Sequence, residues 1–193
     1  MIGIIIRFWH NDRKQMDWRF NYFASCVLPR LQAQQNCPDF DICMLSDPQD
    51  HARIKALDNR IKPFTMNTPG FHYRKQGNFK YSDVTGLKKY PVQVRIDSDD
   101  LVTNDFLSKI MKAKTDIVTF QPQLFLLDEL RVKNMAHRYR ADWPSAFLAV
   151  KNYPECIYHK VFLRYNDRPG TIYPEGTAFV TIHGSNAGTN KNS

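Results

Sequence analysis

Val92-Gln93-Val94-Arg95-Ile96-Asp97-Ser98-Asp99-Asp100 is the stretch from which the rest of the chain can be read. Val92, Val94 and Ile96 alternate with Gln93 and Arg95, the period-two pattern of a half-buried β-strand. The strand stops at three carboxylates within four positions. Like charges crowded at a strand end cost stability unless something positive sits among them. Asp97 and Asp99, two apart, can share a face and converge on one divalent cation with a preference for hard oxygen ligands, such as Mg²⁺ or Mn²⁺. Asn104 then offers an N-cap to an amphipathic run that reaches Met111. A hydrophobic strand that delivers Asp-x-Asp to the edge of an α/β sheet suits a phosphate–metal site. A solvated acidic turn is the plainer alternative.

Towards the N-terminus, residues 2–8 read as a first, buried strand closed by Arg7. From Asp17 to Gln35, Phe20, Phe23, Val27 and Leu31 recur at steps of three and four, one apolar stripe of a helix. Pro29 lies inside it and lacks a backbone donor, which predicts a kink or two abutting helices. Asn36 to Asp39 is a turn, and Phe40 to Leu45 a second strand ending at Ser46-Asp47. Pro48 suits the first turn of a helix over about 49–58, and Ile61 to Met66 is a third strand. Two strand–helix–strand passages imply parallel neighbours. Between Asn67 and Tyr90 the chain turns basic, with Arg74, Lys75, Lys80, Lys88 and Lys89 placed just before the acidic strand end.

Towards the C-terminus, Asp116 to Phe120, Phe147 to Val150 and Thr177 to Ile182 read as strands. Gln123 to Leu130 either continues the first of these or pairs back as a hairpin. Residues 1–193 form one domain on length, and the polar tail 187–193 reads as flexible. Hydrophobic content of 42% excludes a disordered chain, and no apolar run approaches the roughly 20 residues of a membrane span. The N-terminal apolar run is too short for a signal peptide, so the chain reads as cytoplasmic. Four cysteines without Cys-x-x-Cys spacing indicate neither zinc nor a disulfide framework. A net charge of +8 points to an anionic partner.

Taken with His183-Gly184-Ser185-Asn186, the acidic motif resembles that of nucleotide-sugar-dependent glycosyltransferases of the GT-A fold, and more narrowly the bacterial rhamnosyltransferases. The likeness runs in order through Arg7-Phe8, Trp18-Arg19-Phe20, the Leu-Pro-x-Leu-x-Ala-Gln pattern at Leu28 to Gln34, Phe40 to Asp47, Arg95 to Asp100 and Thr181 to Asn186. It is thin from 121 to 175, and the polar insert His10 to Met16 departs from it. The resemblance implies a GT-A-like (Rossmann-like) three-layer α/β/α sandwich with a mostly parallel central sheet. It implies a metal-dependent transfer of a sugar from a nucleoside-diphosphate sugar to a hydroxyl of a glycan or other acceptor. Asp99, with His183 and Asp97, would hold Mn²⁺ or Mg²⁺. Arg7, Ser46, Asp47, Arg95, Asp97 and Ser98 would line the donor site. An inverting transfer also needs a general base, for which Asp142, in a loop before Trp143-Pro144, is the candidate, with Glu155, His159 and Asp167 behind it. Trp143 and Tyr73 could stack on a sugar.

Two other classes compete. A haloacid-dehalogenase-like phosphatase would use Asp97 and Asp99, but its motif wants a hydroxyl residue where this chain has Leu101, and it lacks the later lysine and paired acids. A basic module binding nucleic acid or another polyanion would need only the charge. No lysine or arginine block favours nucleic acid specifically.

Overall fold

The computed structural model describes residues 1–8, 12–65, 85–129, 131–133, 147–153, 157, 170–174 and 176–182. Its strands are β1 (Ile2–Phe8), β2 (Phe40–Ser46), β3 (Ile61–Thr65), β4 (Val92–Asp97), β5 (Leu101–Val102), β6 (Ile117–Phe120), β7 (Gln123–Leu126), β8 (Arg131–Lys133), β9 (Leu148–Lys151), β10 (Thr171–Tyr173) and β11 (Ala178–Ile182). The helices are α1 (Arg13–Tyr22), α2 (Leu28–Gln32), α3 (His51–Lys55) and α4 (Phe106–Lys112). Seven strands form a central sheet in the order β10-β6-β9-β4-β1-β2-β3. All neighbours in it are parallel except β9, which runs antiparallel to both β4 and β6. A second sheet, β5-β11-β7-β8, begins where the acidic turn ends. Gln123 to Leu126 thus belongs to this sheet, parallel to β11 and antiparallel to β8.

The central sheet is mostly parallel because its strands carry apolar side chains on both faces. In β1, Ile2, Ile4, Ile6 and Phe8 join a core with Met16, Phe23, Val27, Leu31, Phe106 and Ile110 from the helices. Ile5 faces the other way, into a smaller core with Cys43, Leu45, Leu87, Tyr90, Leu148 and Ile157. The same two-sided cover corrects the half-buried reading of β4. Gln93 is fully buried and accepts a hydrogen bond from the Ile157 backbone N–H at 2.8 Å, and Arg95 is buried as well.

Tyr90 packs across Gly3, its phenol donating to Asp41 Oδ2 at 2.6 Å. A Cβ on Gly3 would lie 2.6 Å from Tyr90 Cγ, a near-rigid ring atom that is itself fully buried. Gly3→Ala is therefore expected to destabilise the fold by about 1–3 kcal/mol through overpacking. Denaturant melts read the loss, and an unchanged midpoint would show that Tyr90 can move aside.

The helical stretch starts earlier than the apolar stripe predicts, because the Asp12 carboxylate accepts from the Lys14 N–H and caps α1. The first turn of α1 thus takes up Arg13 to Met16 of the polar insert, and Met16 is buried. Ahead of Pro29 the helix widens into a π-helical segment, Phe23–Val27, in which the Leu28 N–H donates to the Phe23 carbonyl. The widened turn re-registers the ladder before the residue that cannot donate. The expected helix over 49–58 is a 3-10 turn at Pro48–Asp50 followed by α3.

Beyond α3, Asp58 is clamped by Arg60 and by Gln32 Nε2 at 2.8 Å. Hydrogen bonds from Arg60 hold its carboxyl well below the usual range, against the upward pull of burial. A carboxyl lowered on folding contributes stability above its unfolded value, and that contribution is lost as pH falls through the folded one. The Tm gap between wild type and Asp58→Asn should hold steady above about pH 5 and shrink below about pH 4. A gap independent of pH would rule the ion pair out.

Candidate active site

Adjacent parallel strands bring the first pair of charges together. Arg7 and Asp97 are register partners at the ends of β1 and β4. Arg7 Nη2 donates to Asp97 Oδ1 at 3.2 Å. Arg95, two residues back on the same face of β4, places its Nη2 3.9 Å from the same oxygen. Burial pushes the Asp97 carboxyl upward, but Arg95, Arg7 and Arg19 outweigh it and hold it below the ordinary carboxylate value. The positive charge that the acidic strand end demanded is thus supplied from three elements.

Arg19 is the residue that the spacing did not mark. It stands on α1, 79 positions before Ser98, and its Nη1 donates to Ser98 Oγ at 3.0 Å while lying 3.3 Å from Asp99 Oδ2. The stretch Trp18-Arg19-Phe20 carries part of the family likeness, yet helical periodicity alone gives Arg19 no role. The acidic turn itself is closed by the Asp100 N–H, which donates to the Asp97 carbonyl at 3.2 Å. Asp100 Oδ1 in turn accepts from the Thr181 N–H of β11 at 3.2 Å, and Thr181 Oγ1 lies 3.2 Å from the Tyr22 hydroxyl. Burial, then the charges of Asp99 and Asp97, push the Asp100 carboxyl well up, against the Thr181 N–H and Arg95. Burial likewise lifts the Tyr22 phenol to about 12. Helix α1, the end of β4 and β11 therefore close on one turn that joins the two sheets.

The loop after the turn is fixed from a distance. Asn104 was the expected cap of α4, but the Leu107 N–H is satisfied by Gln34 Oε1 at 2.9 Å, and Gln34 Nε2 donates to the Thr103 carbonyl at 2.7 Å. The last residue of the Leu-Pro-x-Leu-x-Ala-Gln pattern thus anchors the start of α4.

Ser46 lies beside Phe8 in the β1–β2 register, one step beyond Arg7, fully buried and with no hydrogen-bond partner for Oγ among the described residues. Asp47 caps the following turn, accepting from the Gln49 N–H at 3.2 Å. Behind them Arg13 grips the buried Asp50 through two 3.0 Å hydrogen bonds. The structure thus gathers Arg7, Arg95, Asp97, Ser98 and Asp99 into one cluster and sets Ser46 and Asp47 at the neighbouring strand end, where open α/β sheets bind nucleotides. His183, Asp142, Glu155, His159, Asp167, Trp143, Tyr73, Arg74, Lys75, Lys80 and the tail 187–193 lie outside the described residues.

Two carboxylates two positions apart have the oxygen chemistry that Mg²⁺ or Mn²⁺ requires. Among the described residues no three of His, Cys, Asp or Glu converge on one point. The donor set fits a hard cation in kind, with the guanidinium of Arg19 already against Asp99.

No family model matches the chain, and no curated protein sequence does. Solved structures do resemble it. S. aureus TarS residues 1–349 in complex with UDP-GlcNAc superposes with a TM-score of 0.57 at 12% identity, covering 96% of this chain and 59% of that one. A second structure of the same fragment gives 0.56 at 12% identity, over 93% of this chain and 60% of that one. The 4-diphosphocytidyl-2C-methyl-D-erythritol synthase of Anaerococcus prevotii gives 0.52 at 12% identity, over 90% of this chain and 88% of its own. The chain spans about three fifths of the TarS fragment. These neighbours have GT-A glycosyltransferase and nucleotidyltransferase folds, and at this identity the likeness establishes architecture: the chain has a GT-A-like α/β fold.

Proposed function

We propose that the chain is a metal-dependent glycosyltransferase, hexosyl- or rhamnosyltransferase-like, moving a sugar from a nucleoside-diphosphate sugar to an acceptor hydroxyl in glycan or polysaccharide building. The observation that carries this reading is the cluster of Arg7, Arg19, Arg95, Asp97 and Asp99 at the carboxyl ends of parallel strands in a GT-A-like sheet. That the similar TarS fragment is in complex with UDP-GlcNAc supports a nucleotide-sugar donor. Arg7, Ser46, Asp47, Arg95, Asp97 and Ser98 bind and orient the donor, the buried Ser46 hydroxyl offering an uncommitted polar contact. Asp99, with Asp97 and His183, is the place for Mn²⁺ or Mg²⁺. When bound, such an ion neutralises the charge of the departing diphosphate as a Lewis acid. In an inverting transfer the acceptor oxygen bonds to the anomeric carbon as the sugar–phosphate bond breaks, and the hydroxyl proton passes to a base, for which Asp142 is the candidate. Residues 1–193 act as one domain with a cytoplasmic site of action. No helix among the described residues is long and apolar enough to cross a membrane.

Titrating UDP-, GDP- and dTDP-sugars with and without Mn²⁺ tests the reading. One nucleotide class is expected to bind, and to bind more tightly with the metal. No binding by any donor under either condition, or metal-indifferent binding of polyanions only, would replace the transferase with the basic module.

A further inference from the structure

A helix supplies Asp99 with a close cationic partner, Arg19. The Arg19–Asp99 contact is 3.3 Å, with side-chain exposures of 16% and 7%, so water screens it little. The same Nη1 holds Ser98 Oγ, which fixes the guanidinium over the middle of the acidic turn. Arg19 Nε, also buried, has no hydrogen-bond partner among the described residues. The guanidinium is therefore held through one of its nitrogens at a carboxylate, with a further buried donor uncommitted. Two cations cannot crowd one carboxylate oxygen without repelling each other. Arg7 and Arg95 lie 3.2 Å and 3.9 Å from Asp97 Oδ1 on the neighbouring strand ends.

We infer that Arg19 and a divalent cation compete for Asp99, the guanidinium being the counter-ion that the cation must displace, so that Arg19 sets the affinity of the site for metal. This rests on the proposed reading of Asp99 as a metal ligand. Arg19 is a positioning residue in this scheme: it keeps the acidic turn neutral and ordered, then yields the carboxylate. Its Nε is one of the buried donors of the cluster that an anionic oxygen arriving with the metal would meet. The arrangement favours joint arrival of cation and diphosphate over capture of the cation alone, since two opposing changes of partner offset each other.

The test is Mn²⁺ alone, titrated into the full chain and followed by the electron paramagnetic resonance signal of the free aquo ion, with no donor present. Arg19→Gln is expected to bind Mn²⁺ at least about tenfold more tightly than wild type, an ordinary size for coupling between two ligands of one site. Arg19→Met, which keeps the aliphatic stem, reads the same quantity should Arg19→Gln fail to fold. Arg19→Lys retains the charge and should stay within about threefold of wild type. Asp99→Asn should abolish the binding in every background. Binding that depends on Asp99 but is unchanged or weakened in Arg19→Gln and Arg19→Met overturns the competition while leaving the metal site standing. No Mn²⁺ bound by any form overturns both.

Discussion

Asp99→Asn is expected to lower sugar transfer by roughly 10²–10³-fold, the cost of removing one preorganised charge from a site where charge develops. Its stability should change little, and the contrast between the two is the informative result. The carboxamide has the shape of the carboxylate and retains an oxygen to accept from Arg19. What disappears is a negative charge from a turn of three neighbouring carboxyls, where burial first, and the charges of Asp99 and Asp97 after it, push the Asp100 carboxyl well up. Relief of repulsion at Asp97 and Asp100 offsets the weakened Arg19 pair, which would otherwise cost a few kcal/mol if fully buried. A Tm within about 3 °C of wild type, roughly 1 kcal/mol for a chain of this length, is the expected outcome. Steady-state transfer and a thermal melt on one preparation decide it. A collapse in Tm would make the acidic turn a structural element first. Unchanged transfer would remove Asp99 from the chemistry. Tighter binding of a polyanion by the variant would favour the basic module, for which the lost negative charge is a gain.

What the sequence discloses of this site follows the range of the interactions. The strand β4 and its acidic end are local patterns, and Arg7 closes a strand whose apolar run announces burial on both faces. Once two such strands lie parallel, the Arg7–Asp97 pair follows from register although ninety residues separate them. Arg19 has no such guide. Its helix is legible from the apolar stripe, but which polar position faces the turn depends on how α1 docks, and the stripe itself runs through a π-helical widening at Phe23–Val27 that changes the register between its two halves. Pro29 announced a disturbance there without specifying its form. The cap of α4 shows the same limit: Asn104 is the local candidate, whereas the actual acceptor, Gln34, comes from the end of another helix. Gln93 and Arg95 read as the polar side of a half-buried strand because alternation cannot reveal that Leu87, Tyr90 and Ile157 cover that side. Gln123 to Leu130 is ambiguous in the sequence because the parallel partner of its first four residues, β11, lies more than fifty residues on.

Phe106→Ala is expected to cost about 3–5 kcal/mol, the largest stability loss of any substitution considered, because the ring is the junction of an aromatic cluster between α4 and the central sheet. It is fully buried, with its centroid 4.5 Å from that of Phe120 and 6.3 Å from that of Phe147, the second pair edge to face. Phe120 in turn stacks on Tyr173 at 5.1 Å, and the Tyr173 hydroxyl donates back to the Lys109 carbonyl of α4 at 2.8 Å. Removing the Phe106 ring therefore leaves a void bounded by two strands and a helix whose own tether runs through the same cluster, so collapse cannot fill it cheaply. In a chain of this size the loss corresponds to a Tm drop of roughly 6–20 °C. The consequence reaches the turn at Asp100. Lys109 holds the Thr177 hydroxyl at the head of β11, and the Thr181 N–H farther along that strand is the donor that fixes Asp100. Loosening α4 should thus raise hydrogen exchange at the Thr181 amide more than at Ile5 in β1, whose side chain packs into the smaller core on the other face of the sheet. A melt within about 1 kcal/mol of wild type would mean that the ring packs too loosely to carry the cluster. Equal exchange at both amides after a large loss would mean that α4 stabilises the whole sheet and holds no particular grip on the acidic turn.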